Sequence, residues 1–78
     1  MFKEFTLNVV EDELALLVTQ VKGTNMIRKR MLQMGITPGT QIEVLHSAPF
    51  DGPIEIVVRG VKLALRRDEA KNILVKRY

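Results

Sequence analysis

Few side chains in this sequence could do chemistry. His46 is the single histidine, there is no cysteine, and the acids nearest to His46 along the chain are Glu43 and Asp51. An open transition-metal site wants imidazole joined by carboxylates, and a closed structural site wants four protein ligands. One imidazole makes His46 a weak metal candidate, and a surface residue at a strand end is the simpler reading. Ser47 stands beside it, but neighbours on a strand point to opposite faces, so the two do not form a nucleophile–base pair. Gly35, Gly39, Gly52 and Gly60 sit at turn positions, and no Lys-Ser/Thr closes a glycine-rich loop that could cradle phosphate. With no cysteine there is also no disulfide framework, zinc knuckle or thiol nucleophile. The sequence therefore predicts no enzyme, no resident metal and no cofactor.

What remains is recognition. Arg28, Lys29 and Arg30 form a basic triplet, with Met26 two positions ahead of it. A charge run is most often a solvated face, and contact with a partner is the alternative. Phe50, with Pro49 beside it, sits in a loop carrying a second proline and an Asp-Gly pair. An aromatic there has little core to reach, and aromatic anchors on loops are typical hot spots. The expected partner-binding residues are thus Phe50, Pro49, Arg28, Lys29, Arg30 and Met26. Twelve basic and nine acidic residues leave a net charge of +3. The acids are interleaved and no aromatic lies inside a basic cluster, so nucleic acid is an unfavoured partner.

These residues need elements to hold them. Leu14 to Val21 is apolar on both strand faces and reads as a buried strand, broken by Lys22-Gly23-Thr24. Thr24 is a plausible N-cap for a short helix. Ile27, Met31 and Met34 follow i, i+4, i+7 spacing and share its inner face, while Met26 lies about 100° away. Gly35 supplies the left-handed position that ends the helix. Pro38 and Gly39 are the two central residues of a type II turn over residues 37–40. Gln41 to His46 is a half-buried strand. Ile54, Ile56 and Val58 alternate, as do Val61, Leu63 and Leu65, with Arg59-Gly60 between them as a tight hairpin turn. A single strand kinked at Gly60 is the alternative. One helical turn over residues 67–70 and a strand from Ile73 to Val75 complete the order.

Seventy-eight residues make one domain, which buries only roughly 60–65% of its unfolded surface. Lys3 and Glu4 interrupt residues 1–10, so no signal peptide is expected. No apolar run approaches the ~18 residues of a membrane span. A cytoplasmic protein with no direct membrane insertion is the expectation. Five short strands with one apolar face close most economically into a small barrel. The fold class is therefore mostly β: a small SH3-like barrel of about five strands, with one short α-helix after the first strand and a helical turn before the last. An OB-like barrel is the next choice.

The run Met31-Leu32-Gln33-Met34-Gly35-Ile36-Thr37-Pro38-Gly39-Thr40-Gln41-Ile42-Glu43-Val44 resembles the LxxLGxxPGxxIxV segment of the FeoA family. Ala48-Pro49-Phe50, Asp51-Gly52-Pro53-Ile54, Val58-Arg59-Gly60, Leu63-Ala64-Leu65-Arg66 and Glu69-Ala70 resemble its second half in the same order. Ile73 and Val75 match the closing strand. Glu11-Asp12-Glu13 departs from the family pattern and leaves the register before about Val21 open. The resemblance implies an SH3-like barrel in the cytoplasm, accessory to the ferrous-iron transporter FeoB. Similar barrels stand at the C-terminus of iron-dependent repressors. A nucleic-acid-binding barrel, or a detached repressor-type domain, is therefore the rival to a FeoB-binding accessory protein.

Overall fold

A computed structural model describes residues 3–10, 13–47 and 52–78. Phe50 and Pro49, the expected loop anchors, lie outside the described residues, as does Asp51. The chain runs β1 (Phe5–Thr6), a 3₁₀ turn (Leu7–Val9), β2 (Leu14–Val21), α1 (Asn25–Gln33), β3 (Gln41–Ser47), β4 (Ile54–Val58), β5 (Val61–Leu65), α2 (Arg67–Ala70) and β6 (Ile73–Arg77). All strand pairs are antiparallel. One sheet has the order β1-β6-β2-β3-β4-β5, the strongly bent, mostly β architecture of the SH3-like class.

The five anticipated strands are present, joined by one the pattern did not show. β1 is only two residues, pairing Phe5 with Val75 and Thr6 with Leu74. Two residues carry no periodicity, so nothing local marks the strand.

The reading of Leu14 to Val21 as a buried strand needs correction, because only one face of it is buried. Leu16, Val18 and Val21 are buried, whereas Leu14 and Leu17 are only half-buried. The inward spacing changes from two to three because the register against β6 shifts between Val18 and Gln20. Thr19 is the extra residue, and its hydroxyl donates to the Leu74 carbonyl at 3.1 Å. A second shift, between Val44 and His46, bends β3 against β4. Such bulges increase local twist and let a small sheet curl.

Val61, Leu63 and Leu65 alternate along β5 as expected, but burial falls away toward Val61. Leu65 is fully buried, Leu63 partly, and Val61 is 57% exposed. β5 has a sheet neighbour on one side only, so its tip overhangs the core. The turn before it is a two-residue hairpin: Val58 pairs with Val61, and Arg59 and Gly60 have φ of +51° and +80°. Positive φ at both central residues matches the type I′ turn that suits strand twist, so the kinked-strand alternative falls.

Local signals placed α1. The Thr24 hydroxyl accepts from the Ile27 N–H at 3.2 Å, the N-cap bond. At the far end the Gly35 N–H donates to the Leu32 carbonyl and the Ile36 N–H to the Met31 carbonyl, at 3.0 and 2.9 Å. This is the Schellman arrangement, accompanied by contact of buried apolar residues at its two ends, here Met31 and Ile36. It places Gly35 at φ +84°. Gly35→Val is expected to cost ~1–3 kcal/mol from backbone strain. A new Cβ would meet nothing nearer than Val58 Cγ1 at 3.7 Å, so the penalty is conformational and not a clash. Thermal melting reads it; a shift under about two degrees would contradict the assignment.

Candidate functional site

α1 presents the basic triplet, and its period decides what each member can do. Ile27, Met31 and Met34 turn inward against the sheet. At about 100° per residue, Arg28 and Leu32 then fall on one flank, Lys29 points outward, and Arg30 falls on the opposite flank with Met26. The three cations are consecutive in sequence but do not form one patch.

Arg30 is engaged within the chain. Its guanidinium lies 3.4 Å from Glu69, whose side chain is 12% exposed against 61% for Arg30. The other Glu69 oxygen accepts from the Arg66 N–H at 3.1 Å and caps α2. A pair this exposed on one side contributes at most about 1 kcal/mol. Met26 is 81% exposed, as its helical position requires.

Arg28 and Leu32 instead border a groove of roughly 480 Å³. Its other wall is Gln20 and Val21 at the end of β2 with Lys22 and Gly23 just beyond, and Pro38 of the 37–40 turn also lines it. The turn is held there by two backbone bonds to β2: the Gly39 N–H donates to the Val18 carbonyl at 2.7 Å, and the Val18 N–H to the Thr40 carbonyl at 2.9 Å. The Thr37 and Thr40 hydroxyls meet at 2.7 Å. Lys22 is fixed by its own N–H, which donates to the Asn72 carbonyl at 2.7 Å. Leu32 is 51% exposed at the rim. Two cations and several apolar surfaces line the groove, and no carboxylate lines it among the described residues. Lys22 and Leu32 were not legible in the sequence as members of one groove, because it joins three separate stretches of chain.

His46 is exposed near the end of β3. Among the described residues no three histidine, cysteine or acidic side chains gather as metal ligands would. Nor, among them, is any helix long and apolar enough to cross a membrane. Arg67 is a structural tie: its Nε donates to the Gly52 carbonyl at 3.0 Å and its guanidinium to the Asn8 carbonyl at 2.6 Å. It thereby anchors α2 to the 3₁₀ turn and to Gly52, two residues ahead of β4.

Comparison with known proteins shows the family. A family model described as the FeoA domain matches residues 5–77. A putative Fe(2+) transport protein A of Helicobacter pylori is 31% identical over 72 residues, which are 91% of this chain and 92% of that one. An Fe(2+) transport protein A/Fe(2+) transporter FeoB fusion protein of Porphyromonas gingivalis is 34% identical over 59 residues, 76% of this chain but only 7% of the fusion. The solved FeoA-like protein of Clostridium acetobutylicum superposes with a TM-score of 0.87 at 38% identity, covering 99% of this chain and 90% of that one. A manganese-dependent transcriptional repressor shares the fold (TM-score 0.90) at 18% identity, and this chain covers 44% of it. With the family model matched over nearly its whole length, this chain belongs to the FeoA domain family.

Proposed function

We propose that this chain is a non-catalytic, cytoplasmic accessory protein of ferrous-iron uptake that acts by binding the transporter FeoB. The observation that carries the reading is the Porphyromonas gingivalis fusion, in which a domain similar to this chain is joined to an Fe(2+) transporter in one polypeptide. Domains fused in one organism and separate in another commonly work on each other, because fusion raises their effective concentration without changing their contacts. The surface supports recognition: an exposed methionine, a divided set of cations and an open groove.

The experiment is capture of the purified chain on membranes carrying the FeoB of the same organism. Saturable binding that persists through washing supports the reading, and equal recovery on membranes lacking FeoB sinks it.

A second reading has some footing in the fold shared with a transcriptional repressor and in the net charge of +3. Salt separates the two. A barrel making about five phosphate contacts loses roughly four powers of ten in affinity for a tenfold rise in salt. A packed protein interface responds far less. Binding to FeoB is therefore expected to weaken less than about a hundredfold between low and high salt, and affinity for duplex or single-stranded DNA to stay in the non-specific range.

A further inference from the structure

We infer that the groove between α1 and the end of β2 docks a short acidic segment of the partner transporter that carries one large apolar side chain. The inference rests on the proposed binding to FeoB and names the surface and the chemistry of contact.

The argument is one of charge and shape. Val21, Leu32 and Pro38 give the groove apolar surface, and Lys22 and Arg28 flank it. Arg30 has Glu69 within 3.4 Å, but neither of the groove cations has a carboxylate beside it in the lining, and the first turn of α1 contains no acidic residue. Among the described residues, no carboxylate lines the groove to compensate that charge. A ligand that supplied only apolar surface would leave two cations to lose water without return, which is costly. One that supplied only carboxylates would leave Leu32 in water, half exposed as it is now. An apolar anchor flanked by carboxylates satisfies both, with the anchor against Leu32, Val21 and Pro38 and the carboxylates at Lys22 and Arg28. The walls are held by backbone hydrogen bonds from Gly39, Val18 and Lys22, so the groove needs little ordering on binding.

Two arms test this. In the first, binding to FeoB membranes is measured for the wild-type chain, for Lys22→Glu/Arg28→Glu, for Leu32→Gln, and for Lys3→Glu/Lys62→Glu, which changes net charge equally at two exposed positions away from the groove. Folding is checked by melting. Both groove variants are expected to lose at least about tenfold in affinity while the matched control stays within about twofold, because specific charge complementarity acts locally. In the second arm, amide shifts of the wild-type chain are followed against a synthetic peptide of Glu and Asp around a central Leu-Phe pair, and against its Lys counterpart. The acidic peptide is expected to move Val21, Lys22, Gly23, Arg28 and Leu32, and the basic one to move none of them.

Wild-type binding to FeoB that survives both groove variants overturns the groove while leaving the function standing. Failure of the wild-type chain to bind FeoB at all sinks the function, and the peptide arm then judges the groove alone. Shifts elsewhere, or none, overturn it. So does concentration-dependent dimerisation that Leu32→Gln abolishes with no loss of transporter binding, which would make the occupant a second copy.

Discussion

Ile56→Ala is expected to lower the melting temperature by more than about 10 °C, the largest effect of any single truncation considered for this chain. Ile56 lies in the middle of β4, fully buried, opposite Val44 of β3 and Leu63 of β5. Both flanking strands are hydrogen-bonded to β4 on either side, so neither can close in on the space. Truncation removes the transfer free energy of the lost methyl and methylene groups and leaves a cavity, together ~2–5 kcal/mol. A domain of this length has a total stability of only about 4–12 kcal/mol. Val57→Ala, one residue on and half-buried on the outward face, is the internal control and should cost markedly less. Calorimetric or circular-dichroism melts of the two variants give the comparison. If they destabilise equally, the inward placement of Ile56 is wrong.

Gly23→Ala is expected to cost ~2–4 kcal/mol, more than an alanine at any other glycine in a left-handed conformation in this chain. Gly23 has φ +103°, a backbone that side chains rarely adopt, and a Cβ there would lie 3.1 Å from both Cγ and Oδ1 of Asn72 and 3.3 Å from Cγ2 of Ile27. Strain alone is worth roughly 1–3 kcal/mol. Asn72 cannot yield freely, because its side-chain amide donates to the Asp68 carbonyl at 3.0 Å and its own carbonyl receives the Lys22 N–H. Gly39→Ala isolates the strain, since φ is +90° there and nothing lies within 4 Å of the added atom. The difference between the two alanine variants in chemical denaturation reads the clash at Asn72. No difference would mean that the approach of Asn72 to Gly23 is looser than 3.1 Å.

Elements whose causes are local were legible in the chain. Thr24 and Gly35 bracket α1 because each acts on amides or carbonyls within four residues of itself, and a short-range pattern records that. The 37–40 turn and the Arg59-Gly60 hairpin were readable for the same reason. β1 was not, because Phe5 and Thr6 become a strand only through Val75 and Leu74. The bulge at Thr19 hides equally well: the run from Leu14 to Val21 is apolar enough to fit either face, and only pairing with β6 selects one. At the candidate site, the triplet Arg28, Lys29 and Arg30 was visible as charge. Its division into an ion-paired residue, an outward one and a groove-lining one depends on where Glu69 and Lys22 fall in space. Sequence adjacency on a helix separates side chains by about 100°, so contiguous charges were a poor guide to a contiguous surface.

The placement of β6 between β1 and β2 bears on how the protein is made. The β4–β5 hairpin closes over a two-residue turn and can zip as soon as it leaves the ribosome. β2 has no such freedom, for the strand it pairs with most extensively comes fifty-five positions later at the Thr19–Leu74 contact. Non-local pairing of this kind puts folding in the millisecond-to-second range typical of small barrels, well behind helical bundles of equal length. Until residues 73–77 are synthesised, β2 carries one unpaired edge, the kind of surface that recruits stray strands. The last strand is therefore the latch of the fold, and the nascent chain is most exposed to misassembly in the interval before it arrives.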